Sequence, residues 1–141
     1  MDTNEIGVPD YEIHSYLQLG TISFYAAEDT LEISGGFAFE NTGIRPIAIS
    51  RMEIVFEFQI AGEPYVLKEM ICEEFLAQNL IVKRGDIWNG KITFRNSWRL
   101  PEDFNNFQRK LNDNRHSMKC SRFELVLANG NKLYPELEMK D

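Results

Sequence analysis

At 141 residues the chain has the common size of a single domain, and an apolar content of 43% with ten Phe excludes a disordered polymer. A net charge of −7 disfavours polyanions as partners. No apolar run approaches the roughly 18 residues of a membrane helix, and the start MDTNEIGVPDYEIHSY lacks the basic and apolar regions of a leader, so a cytoplasmic or already processed chain is expected.

Residues 1–15 show no periodicity, and Gly7, Pro9 and Asp10 mark them as an irregular acidic arm ahead of a single domain over 16–141. In LQLGTISFY, Leu17 and Leu19 share one parity and Ile22 and Phe24 the other, which predicts a β-bulge at Gly20. Leu31, Ile33, Gly35, Phe37 and Phe39 then form one face of a long strand. Asn41-Thr42-Gly43 supplies a turn, and Pro46 keeps Arg45 extended. RMEIVFEFQI follows, with Met52, Ile54, Phe56, Phe58 and Ile60 on one face. Such alternation marks an antiparallel strand with one wet side.

Ala61-Gly62-Glu63-Pro64 turns the chain into Tyr65–Met70. Residues 71–79 read as a loop or short helix before a brief strand at Leu80–Val82, and Lys83-Arg84-Gly85-Asp86 as a turn. Trp88, Ile92 and Phe94 give the face of the next strand, which Trp98 extends. Phe104, Phe107 and Leu111 stand at helical spacing behind Pro101, which predicts one short helix over 101–112. A hairpin at Asn129-Gly130 ends the chain. A three-residue loop matches its apolar faces, pairing Leu127 with Leu133, Leu125 with Pro135 and Phe123 with Leu137, and Pro135 makes the last strand an edge.

Seven to eight strands with hairpin-like turns and one short helix predict an all-β fold, an antiparallel two-sheet sandwich. The order from Asn41 through Pro46-Ile47 and Ile49 to the closing hairpin at Leu137 resembles small immunoglobulin-like accessory domains of prokaryotic and phage proteins. That resemblance spans about residues 31–137 and implies architecture and a binding role. A fold alone does not set function.

Chemistry finds little purchase. Two histidines, His14 and His116, exclude a His-rich metal centre, and the acidic residues lack an EF-hand loop, so no cofactor is expected. Cys72 and Cys120 read as reduced, buried thiols, although one bridge between them stays open. Glu73-Glu74 would raise the Cys72 pKa rather than activate it. Glu53 and Glu57 lie roughly 13 Å apart along one strand, too far for paired-carboxylate catalysis.

Charge is uneven: residues 1–44 hold eight acids and no base, whereas 91–122 hold eight bases and three acids. The expectation is a non-enzymatic protein–protein module, either a subunit of an assembly, its own homo-oligomer included, or an acidic inhibitor of a basic partner. Candidate contacts are Asp10, Glu12, Glu28, Asp29 and Glu32 in the acidic third, and Arg109, Lys110, Arg115, Lys119 and Arg122 in the basic segment. The alternative is small-ligand, ion or nucleic-acid binding through 109–122. Nucleic acid ranks low because the acidic remainder repels it.

Overall fold

Alternation of apolar and polar residues builds the long strands, and the computed structural model, which describes residues 7–73, 81–100, 104–113 and 116–140, shows how they join. The strands are β1 (Ile13–Tyr25), β2 (Thr30–Asn41), β3 (Ile47–Ile60), β4 (Glu63–Val66), β5 (Met70–Cys72), β6 (Ile81–Val82), β7 (Ile87–Asn96), β8 (His116–Leu127), β9 (Lys132–Leu133) and β10 (Leu137–Lys140). Among the described residues an α-helix, α1 (Phe104–Asp113), lies between β7 and β8. Of the expected helix over 101–112, residues 101–103 lie outside the described residues, as do 74–80 of the ambiguous segment.

The expected antiparallel two-sheet sandwich does not form, and the immunoglobulin-like resemblance falls with it. All ten strands belong to one mixed sheet in the order β10-β1-β2-β7-β5-β3-β8-β9, with β4 and β6 also on β3. The physical reason is β5. This three-residue strand pairs with β7 at Met70 and Ile71 and with β3 over Met70–Cys72, so what would be two facing sheets is one continuous ladder. The pairing of β10 with β1 is parallel, which makes the sheet mixed.

The sheet curls into a half-barrel because its longest strands bend at bulges, as extra residues do in a ladder. Register slips between Leu19 and Thr21 on β1, between Ile49 and Arg51 on β3, and between Cys120 and Arg122 on β8. The first is the bulge expected at Gly20. Gly35 opposite makes room for it, since a Cβ there would stand 2.4 Å from the Gln18 carbonyl oxygen.

Curling places the inward faces of distant strands in one core. Phe37 meets Phe123 at 6.1 Å, and Phe56 meets Phe94 edge-on at 5.8 Å. Helix α1 plugs the upper end, where Tyr25, Ile60 and His116 lie: Phe104 packs on Phe24, and Phe107 on Phe58 and Tyr65. At the lower end the buried Asn41 holds the β2–β3 turn, donating to the carbonyls of Arg45 and Val82 and accepting from the Gly43 N–H. No helix among the described residues is long and apolar enough to cross a membrane.

The closing hairpin differs from expectation by two residues of register. Its loop has three residues, but Leu125 pairs with Leu133 and Val126 with Lys132. Gly130, at φ 90°, takes the left-handed position of the loop. The apolar faces still match, yet Phe123 never meets Leu137, because the chain leaves β8 and Leu137 pairs with Ser15 of β1.

Phe56 is fully buried where β3, β7 and β8 converge. Phe56→Ala should cost about 3–5 kcal/mol through lost burial and a residual cavity. Chemical denaturation would show this as a lower midpoint at unchanged slope. A variant within experimental error of wild type would contradict the common core.

Candidate functional site

Strand closure leaves one opening in the half-barrel. β9 pairs with β8 only at Val126 and Leu125, and Pro135, which has no N–H, ends that ladder. The chain then crosses to β1, where the buried Ser15 Oγ donates to the Glu136 carbonyl at 2.8 Å, and β10 runs beside Ser15–Gln18. Above this crossing the outer edges of β1 (Leu19–Tyr25) and β8 (Ser117–Phe123) face each other, and no described strand pairs with either.

The seam so formed has two parts. Its lower part encloses about 520 Å³ between His14–Tyr16, Cys120–Phe123 and Pro135–Glu138. Its upper part, about 360 Å³, lies between Leu19–Ile22 and Ser117–Met118, with Ile33 at its base. Register fixes which side chains form the floor: Ile22 pairs with the buried Ile33, Met118 with Phe58 and Cys120 with Phe56, so all three point to the core side. Ile22 is nevertheless 40% exposed, and Leu19, Met118 and Cys120 are half-buried. These are core-facing positions that no described strand covers.

The Cys120 thiol is pushed up to about 11 by burial, against which the Arg122 backbone N–H acts weakly. It is a poor nucleophile at neutral pH. Cys72 and Cys120 sit on opposite sides of β3, at the levels of Met52 and Phe56, which puts them roughly 15 Å apart by strand rise and spacing. Neither is in a disulfide, and the pair lies beyond disulfide reach.

The acidic candidates divide between the two ends of β1 rather than forming one field. At the lower end Asp10 pairs with Arg45 at 3.4 Å, and Glu12 accepts from Thr42 Oγ1 at 2.8 Å. At the upper end Glu28 is exposed, Asp29 lies 3.9 Å from Arg99, and Glu32 binds Arg95 at 2.8 Å. The basic candidates are likewise dispersed. Arg109 and Lys110 are on the exposed side of α1, Lys119 binds Glu57 at 2.8 Å, and Arg122 lies 3.5 Å from Glu124. Arg115 is outside the described residues.

A carboxylate pair escaped the sequence reading. Glu53 of β3 lies directly opposite Glu124 of β8, on the outer face, and Glu124 is only 3% exposed. Burial raises the Glu53 carboxyl above its ordinary value, and its hydrogen bond with Glu124 adds to this against the pull of Arg51. Burial would also raise Glu124, but hydrogen bonds from Glu53 and Lys132 and the charges of Lys132 and Arg122 outweigh it and hold that carboxyl low. The pair is thus driven apart, Glu53 up and Glu124 down, as like charges at a cross-strand position require. The spacing of Glu53 along β3 contains no hint of this, because the partner is 71 residues away in the sequence.

No family model matches this sequence, and no curated relative does. Two solved structures have a similar course. A structural characterization of IrmA from Escherichia coli aligns at a TM-score of 0.49 and 7% identity, covering 92% of this chain and 93% of that one. The Northeast Structural Genomics Consortium target SoR45 aligns at 0.39 and 7%, covering 89% of this chain and 80% of that one. Neither likeness is close enough to carry an argument.

The opposed shifts of Glu53 and Glu124 give a pH signature. Glu53 has a folded pKa above its unfolded value of 4.5, so the stability it contributes is full below that value and is lost as pH rises through the folded one. Glu124, held low, works in the opposite sense: its contribution is present above its unfolded value and is lost in acid. Glu53→Gln should therefore raise the Tm at pH 7–8, with the gain shrinking toward pH 4.5, in thermal melts across that range. A gain that is independent of pH would contradict the raised Glu53 carboxyl.

Proposed function

We propose that this chain is a non-catalytic protein-binding module whose contact surface is the seam between β1 and β8. The observation that supports this reading is the exposure of core-facing Leu19, Ile22, Met118 and Cys120 between two strand edges that no described strand pairs. Apolar surface at such positions is held in reserve for another molecule. Catalysis would call for polar groups converging in an enclosed pocket. The seam has an apolar floor, and its one thiol stays protonated at neutral pH.

Charge favours a basic protein partner over nucleic acid. Lys119 and Arg122 beside the seam are engaged with Glu57 and Glu124, so a phosphate would have to displace carboxylates to reach them. Exposed Glu136 and Glu138 line the lower part, and exposed Glu28 lies in the turn that follows the upper end of β1, with no ion pair among the described residues. An acidic inhibitor of a basic protein and a subunit of a larger assembly both fit this surface.

The test is affinity capture from native extract with wild type and with Ile22→Asp and Met118→Asp, each first shown to keep its cooperative melt. A protein retained by wild type and lost from both variants is the expected result. A partner retained equally by all three would move the contact surface elsewhere.

A further inference from the structure

We infer that the seam takes its partner as an extended strand, a segment about as long as the bare β1 edge, with apolar side chains at alternate positions, small polar ones between, and Lys or Arg at its ends. This rests on the protein-binding reading of the same seam.

The backbone makes the first argument. Leu19–Tyr25 on β1 and Ser117–Phe123 on β8 each turn alternate N–H and C=O groups into the gap, and no described strand receives them. A ligand that answers both banks must carry donors and acceptors at strand spacing. A helix has spent its backbone groups internally, and a small molecule has few to offer. Following the pairings around the sheet, β1 and β8 run in opposite directions across the seam, so an inserted strand is antiparallel to one bank and parallel to the other. Both ladders already occur here, the parallel one between β1 and β10 directly below.

Side chains set the composition. Leu19, Ile22 and Met118 on the floor call for apolar residues on the inward parity of the guest. On the banks stand Thr21, Ser23, Ser117 and Ser121, all small hydroxyls. Edges meant to stay bare carry charges or proline, and here the one charged residue between Ser117 and Ser121, Lys119, is tied to Glu57. Glu28 at the top and Glu136 and Glu138 at the bottom supply the negative ends that basic flanks of the guest would meet.

The test uses the full chain and displayed random peptides of about twelve residues, long enough to cross the seam with both flanks. Selection on wild type, with counter-selection on Ile22→Asp, should enrich alternating apolar sequences with Lys or Arg near the ends. A synthetic peptide of the enriched sequence should slow alkylation of Cys120, bind more weakly in high salt, and lose about tenfold or more in affinity on N-methylation of a central amide. Seam-bound peptides that tolerate N-methylation, or show no alternation, overturn strand addition while leaving the seam a binding site. Failure to select any peptide that distinguishes wild type from Ile22→Asp also overturns it, and the extract capture then judges the protein-binding reading alone. A concentration-dependent dimer in sedimentation, abolished by Ile22→Asp, would make the guest a second copy and overturn the basic-flanked partner.

Discussion

The architecture turns on one missing hydrogen-bond donor. Pro135 cannot extend the β8–β9 ladder beyond Leu133, so the terminal strand abandons β8 and is caught by Ser15 on the opposite edge. A residue able to donate at position 135 would let the hairpin zip upward along β8, pairing Phe123 with that residue instead of leaving the strand to reach β1. The half-barrel would then keep β1 wholly bare. As it stands, the last strand staples the lower half of the opening and leaves the upper half free. The groove, the partial exposure of Ile22 and Met118, and the bare edges all follow from that switch.

Much of the local structure was legible, and the reason is the strict period of a strand. The parities of β2, β3 and β7 identified the core residues Phe37, Phe39, Phe56, Phe58 and Phe94, and the change of parity at Gly20 located a bulge. The spacing of Phe104, Phe107 and Leu111 likewise marked the buried stripe of α1. What parity cannot encode is which strands become neighbours. Two pairings decide between a sandwich and a curled sheet, three residues of β5 and four of β10, and both are too short and too distant in sequence to leave a periodic trace. The seam was out of reach for the same reason: Ile22 reads as a core residue and becomes a surface one only because no strand arrives beside it.

Charge asymmetry illustrates the same limit in electrostatic terms. An acidic third and a basic segment suggested extended fields, but a curled sheet brings strands 2 and 7 side by side, and Glu32 finds Arg95 while Asp29 faces Arg99. The basic segment meets acids of the middle of the chain and of its own strand, Glu57 and Glu124. A well-exposed pair such as Arg99–Asp29 adds little stability, on the order of 0–1 kcal/mol. The main effect of these pairs is to cancel fields locally, so the charge that remains available to a partner is carried by residues such as Glu28, Glu136 and Glu138 that the folding process leaves alone.

A bare strand edge is ordinarily a hazard, because it templates pairing with any extended chain. This protein protects other parts of its perimeter: Pro64 lies in the short strand β4, and Pro135 precedes β10. It leaves the two facing edges of the seam with serine and threonine, and lines the floor between them with apolar side chains. Geometry limits the hazard here, since the charges on the β8 edge, Lys119 and Arg122, are engaged with Glu57 and Glu124. Facing edges can be satisfied together only by a guest narrow enough to enter the gap, and the presence of α1 at the upper end and the β9–β10 crossing at the lower end bounds the length of that guest. A slot closed at both ends excludes the open-ended sheet stacking that makes bare edges dangerous, while retaining the backbone groups that make them specific.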